Sequence, residues 1–148
     1  MTWDREQRIR LGMEKHVLSQ EYPGFKFHDP LGETHVRGWW TAQSGRGYEV
    51  AVYPTAGFPD ECPEVYITSP APLRGYYRAM TEYGNSHAMH VLESDRPGWT
   101  KVCVYHAEKW HPKVSLSEVL IKTLLWLWAF DIHRDTGDSI DDILTGKK

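Results

Sequence analysis

Ser115-Leu116-Ser117-Glu118 stands just ahead of the most apolar run of the chain, Leu124 to Phe130, and the combination dictates a helix that has to be buried. The Ser115 hydroxyl is spaced to accept the backbone N–H three residues on while Glu118 reaches back, and Val114 and Val119 occupy the flanking staple positions. Leu120, Leu124, Leu127 and Trp128 then carry an apolar face to about Arg134, where His133 and Arg134 suit the negative end of the helix and Gly137 is available to stop it. The run is well short of the ~18 apolar residues of a membrane span and is preceded by Lys122. Such a helix needs a protein surface to cover it.

The first half of the chain supplies that surface. Trp3 to about Gln20 reads as a helix, with Ile9, Met13 and Val17 recurring along one side, and Tyr22-Pro23-Gly24 ends it. Phe25–His28, Val36–Gln43 and Tyr48–Tyr53 follow, rich in β-branched or aromatic residues and separated by turn formers, and Glu64–Thr68 is a fourth such stretch. Between the third and fourth, Tyr53 to Pro63 is an ordered Pro-rich crossing built on Pro54, Pro59 and Pro63 and packed by Phe58. The expected architecture is a single α+β domain spanning residues 1–148, with a four-stranded antiparallel meander, the first helix at one side and the Ser115–Arg134 helix across it. Asp138 to Leu144 is read as a short terminal helical turn.

Composition narrows the function. Lys and Arg total 17 against 20 Asp and Glu, a formal charge of −3, so no basic field is available to hold nucleic acid. Seven Trp and eight Tyr within a 41% hydrophobic chain give ample core material. Cys62 and Cys103 show no paired spacing, and Met1 to Leu18 lacks the apolar stretch of a signal peptide, so the expected setting is the cytoplasm, with no membrane partner.

Chemistry is expected between Ser69 and Pro112, where periodicity is poor apart from a short strand within Trp99 to Tyr105 and where four of the eight histidines fall. Cys103 lies in Lys101-Val102-Cys103-Val104-Tyr105-His106, with Lys101 and His106 as neighbours able to favour a thiolate. The plainer reading of Cys103 is a small buried hydrophobe on a strand, and Cys62, between Glu61 and Pro63, is read as structural. A third reading takes His87-x-x-His90 and Cys103-x-x-His106 as zinc ligands. Trp110 is read as a lid on the core, and Asp141-Asp142 and the N-terminal arginines as solvated faces.

Two stretches resemble the ubiquitin-conjugating enzyme family. Tyr53-Pro54 followed by Phe58-Pro59-Asp60-Glu61-Cys62-Pro63-Glu64-Val65 is similar to that family's aromatic-Pro-x-x-x-Pro-x-Val segment. Val102-Cys103, then Trp110-His111-Pro112 and Ser115-Leu116-Ser117-Glu118-Val119-Leu120-Ile121, is similar to its Ile-Cys, Trp-Ser-Pro and Thr-Ile-x-x-Val-Leu-Leu run. With the order of elements, the resemblance extends from Trp3 to about Arg134. It implies a ubiquitin-conjugating-like (UBC-like) fold with Cys103 accepting the C-terminal acyl group of a ubiquitin-like modifier, or of another partner protein, as a thioester and passing it to an amine. No metal or nucleotide cofactor is then required, and the partners are proteins: an acyl donor, an activating enzyme and a target. The alternative is a UBC-like interaction module without catalysis.

The chain also departs from the family pattern. Glu93-Ser94-Asp95 occupies the spacing of the family's His-Pro-Asn motif, and Tyr105 stands where an Asp is usual. The resemblance therefore leaves His90, Asn85 or His106 to stabilise the oxyanion, and the long path from Pro63 to Cys103 implies an insertion around Ala71 to Gly84. The compact form is similar to bacterial members of antiviral defence operons, which implies a target such as a nucleotidyltransferase that makes cyclic-nucleotide signals.

Overall fold

A computed structural model describes residues 2–147. Helix α1 (Arg5–Glu21) leads into strands β1 (Lys26–His28), β2 (His35–Thr41), β3 (Gly47–Tyr53) and β4 (Glu64–Ser69). A short 3-10 turn at Met80–Tyr83 precedes β5 (Val91–Leu92) and β6 (Thr100–Val102), and a second at Ala107–Lys109 leads to α2 (Leu116–Thr136) and α3 (Ile140–Thr145). The molecule is α+β, with an N-terminal helix, an antiparallel sheet and C-terminal helices. Among the described residues, no helix is long and apolar enough to cross a membrane.

Among the described residues the sheet has six strands in the order β1-β2-β3-β4-β6-β5, which corrects the expected four. The additional pair is a hairpin, Val91↔Val102 and Leu92↔Lys101, whose inner strand β6 also pairs with β4 through Val65↔Val102. Strands of two and three residues show too little alternation to be read from sequence, although β6 falls within the short strand expected at Trp99–Tyr105. The region expected as an insertion is ordered: Leu73 and Met80 are buried, and Arg74 and Ala79 form an isolated bridge.

The caps act largely as the residues dictate. Ser115 Oγ accepts the Glu118 N–H at 3.1 Å, and Gly137 ends α2 in the left-handed conformation at φ 79°. Only half of the expected capping box forms, because the Glu118 carboxylate lies instead 3.5 Å from the Tyr105 hydroxyl. The complete box is at α1, where the Asp4 side chain accepts from Gln7 N and the Gln7 side chain accepts from Asp4 N. Gln7 Nε2 also donates to the carbonyls of Ala56 and Phe58, tying α1 to the Pro-rich crossing.

Two helix faces differ from expectation. On α1 the buried residues are Leu11, Glu14 and Leu18, while Ile9 and Met13 are exposed. The buried stripe contains a carboxylate, which hid it from a count of apolar positions. On α2, Leu120 and Leu127 are buried as expected, but Trp126 rather than Trp128 fills the core, stacked on Phe130 at 5.4 Å with its indole N–H donating to the Met89 carbonyl. Trp128 is 44% exposed.

Glu14 joins the two long helices. Its Oε1 accepts the Leu116 N–H at 2.7 Å, at the first residue of α2, and its Oε2 accepts from Arg10 Nε at 2.7 Å. Arg10 directs its remaining nitrogens to the carbonyls of Pro112 and Val114, so the approach to α2 is held on both sides. Removing one partner of such a pair strands the others in the interior. Glu14→Ala is expected to cost about 2–4 kcal/mol in urea unfolding, whereas Glu21→Ala, at an exposed position, stays within about 0.5 kcal/mol; equal midpoints for the two variants would contradict the assignment.

Candidate functional site

Cys103 directly follows β6. Its backbone N–H donates to the His90 carbonyl at 2.9 Å, extending the β5–β6 ladder by one bond and placing Cys103 against the loop that begins the hairpin. That loop is tightly fixed. Ser86 and Val91 exchange both backbone hydrogen bonds, the Met89 N–H reaches Ser86 Oγ at 3.2 Å, and Trp126 holds the Met89 carbonyl from α2 at 3.0 Å. His90 closes the loop in the left-handed region at φ 51°, where a side chain is disfavoured unless its surroundings over-determine it.

The sulfur is half-buried where two clefts meet. One, of about 320 Å³, is lined by Cys62, Glu64, Leu92, Lys101, Tyr105 and His106 beside Cys103. The other, of about 220 Å³, lies between Cys103, His90 and the α2 residues Lys122, Leu125 and Trp126. Trp110 packs as a partly buried lid on the core, its indole N–H donating to the Pro59 carbonyl at 2.8 Å and its ring edge-on to Tyr105, which lines the first cleft.

The electrostatics differ from what the neighbouring residues suggest in sequence. Lys101 Nζ is 2.9 Å from Glu64 Oε2, so its charge is taken up by that carboxylate. Among the described residues no imidazole hydrogen-bonds to Cys103 Sγ, whose one contact of this kind is a weak donation to the Tyr105 carbonyl at 3.7 Å. Burial pushes the Cys103 thiol above its ordinary value. Cys62 is pushed up to about 11, first by burial and then by the nearby Cys103 sulfur. The two cysteines, far apart in sequence, thus share one cleft as free thiols.

The other expected residues separate. His90 and His106 each share a cleft with Cys103. Asn85 lines neither; its side-chain carbonyl accepts the Glu93 N–H at 2.8 Å and is occupied in shaping the hairpin. Asp95, at the spacing expected for the family's asparagine, accepts the Tyr66 hydroxyl at 2.6 Å and serves the sheet. The four-ligand zinc arrangement does not form, since Cys103 and His106 fall outside the cluster of possible metal ligands that His87 and His90 join.

Two residues expected on solvated faces are not: Arg10, one of the N-terminal arginines, is part-buried in the Glu14 network, and Asp141 is part-buried against the loop of the hairpin. Its Oδ1 lies 2.8 Å from His90 Nε2 and its backbone N–H donates to the Ala88 carbonyl at 2.8 Å, docking α3 on the loop before Cys103. The hydrogen bond from His90, opposed by partial burial, holds the Asp141 carboxyl below the usual carboxylate range. No pattern in the chain connects two residues 51 positions apart, and only the Ser139 cap of α3 hints that Asp141 sits on an ordered turn.

Comparison with known protein families, with curated proteins and with solved structures gives no match for this chain.

A raised thiol pKa leaves less thiolate at neutral pH, so reactivity climbs with pH past the ordinary thiol range. Iodoacetamide is therefore expected to label Cys62 more slowly in the folded protein than in urea at neutral pH, with a rate still rising at about pH 10; a rate profile with its midpoint near about pH 8.5, the value of a free thiol, would contradict the burial described.

Proposed function

We propose that this chain is a ubiquitin-conjugating-like acyl carrier, with Cys103 as the atom that bears the acyl group. The observation that carries this reading is the setting of the sulfur: reachable from two clefts, yet bonded to no imidazole. A hydrolase needs a base poised at the nucleophile and at the attacking water. A carrier is better served without a base bonded at the sulfur, because a thioester with no base held against it outlasts the encounter with water and waits for an amine. The resemblance of the flanking motifs, with Cys103 ahead of a 3-10 turn, Trp110, Pro112 and the capped α2, supports the same reading.

The chemistry balances in two transfers. Cys103 Sγ, as thiolate, attacks the carbonyl carbon of a thioester at the C-terminus of a donor protein; the donor's thiolate leaves and the acyl group is now on Cys103. An amine of the target then attacks the same carbon and loses a proton, the Cys103 thiolate departs, and an amide remains. The raised pKa of Cys103 makes its thiolate the poorer leaving group, which protects the loaded state between the two steps. His106, exposed beside the first cleft, is the side chain in reach of the incoming carbonyl as oxyanion donor, while His90 positions the Cys103 backbone. Both donor and target are proteins on this reading, the donor arriving already activated, so that no cofactor takes part.

Intact mass of the protein co-expressed with the products of its neighbouring genes tests the proposal, using wild type, Cys103→Ala and Cys103→Lys, each with and without thiol reductant. The expected result is a reductant-sensitive adduct on wild type, a resistant amide on Cys103→Lys and no adduct on Cys103→Ala. Absence of an adduct from all three forms would instead favour a non-catalytic interaction module.

A further inference from the structure

The loop ahead of Cys103 gathers a second set of chemically capable side chains. His87 Nε2 and His90 Nε2 both face Asp141 Oδ1, at 3.6 and 2.8 Å, and the ligand atoms of the three residues lie within 4.8 Å of one another. The two imidazole rings are 5.0 Å apart, tilted by 46°. Their arrangement is imposed by the backbone as much as by the side chains. The Asp141 N–H is fixed to the Ala88 carbonyl, the His90 N–H to the His87 carbonyl at 3.2 Å, and His90 holds its left-handed conformation between them.

We propose that His87, His90 and Asp141 bind one divalent transition-metal ion, of which Zn²⁺ is the representative, and that the ion clamps α3 to the hairpin that carries Cys103. Two imidazole nitrogens and one carboxylate oxygen are a donor set that suits Zn²⁺ and its neighbours in the first transition row. Metal–ligand distances of about 2.0–2.2 Å place tetrahedral ligand atoms about 3.3 Å apart. The 2.8 and 3.6 Å separations bracket that value, so small side-chain rotations suffice to admit an ion.

An ionised Asp141 can only accept, so in the metal-free protein the proton of the His90–Asp141 bond sits on His90 Nε2. Coordination replaces that bond: in the neutral ring the proton moves by way of solvent from Nε2 to Nδ1, giving the Nδ1–H tautomer, and the freed Nε2 lone pair binds the ion. His87, with its side chain 69% exposed, leaves the site open to entry from solvent. The fourth position is open to water. Cys103 is not a ligand in this assignment. The ion instead stands one residue behind it, because the His90 carbonyl accepts the Cys103 N–H, and the metal site stands independently of whether Cys103 carries an acyl group.

Full-length protein stripped with EDTA and titrated calorimetrically with Zn²⁺, with Co²⁺ as an absorption probe, tests the assignment in wild type, His87→Ala, Asp141→Asn and Cys103→Ser. One ion per chain is expected, with a melting temperature that rises with metal concentration as mass action requires. Affinity should fall at least about tenfold in His87→Ala and in Asp141→Asn and stay at the wild-type value in Cys103→Ser. The metal-free melting temperature of His87→Ala should match that of the wild type, which separates loss of a ligand from loss of the fold. The proposal is overturned by the absence of stoichiometric binding, by unchanged affinity in both ligand variants, or by a thiolate-to-cobalt absorption band that disappears in Cys103→Ser.

Discussion

A carboxylate that leaves water must find partners for its charge, and Glu14 finds them at the one place where they organise the rest of the molecule. Arg10 and the free N–H of Leu116 at the start of α2 share its two oxygens, and the positive end of the helix favours a negative charge there. Arg10 passes the constraint on to the carbonyls of Pro112 and Val114. The chain between Cys103 and α2 is thereby anchored at its far end, and Trp110, bonded to the Pro59 carbonyl, anchors its middle to the Pro-rich crossing. With those ends fixed, the short turn after Cys103 lies beside the cleft that contains Cys62.

The other side of Cys103 is held from the C-terminal helices. Trp126 reaches from α2 to the Met89 carbonyl, and Asp141 reaches from α3 to Ala88 through its backbone and to His90 through its side chain. His90 then meets the Cys103 N–H. Each long-range tie ends on a backbone carbonyl or on a charged partner, where geometry is strict, rather than on apolar contact alone. The result is a fixed main chain carrying a thiol whose pKa burial raises. In the proposed carrier, such a thiol would receive an acyl group already activated on its partner and release it to an amine.

Much of this framework was legible in the chain. The Ser115 cap, the Gly137 stop, the strands from Val36 to Thr68 and the lid role of Trp110 follow from local chemistry that needs no tertiary context. What was illegible depends on contacts distant in sequence. The buried side of α1 includes Glu14, whose partner Leu116 lies 102 residues away, so counting apolar residues selected Ile9 and Met13 instead. Trp126 lies on the face of α2 with Val119, Thr123 and Phe130 and so turns inward, where its indole N–H meets the Met89 carbonyl, while Trp128 lies off that face. The hairpin β5–β6 is too short for alternation to show, yet it brings His90 to Cys103. His90 and His106, expected as oxyanion donors for Cys103, each line a cleft with it, whereas Asn85, expected in the same role, lines neither and shapes the turn at Glu93.

Discharge of a loaded Cys103 most directly separates a carrier from a hydrolase. A peptide thioester is exchanged onto the purified protein, excess donor is removed, and the adduct is followed by intact mass at neutral pH with and without free lysine. The expected result is an adduct on Cys103 that persists in buffer and is lost, with formation of peptidyl-lysine, as the amine is added. Loss to water at the same rate whether or not lysine is present would contradict it.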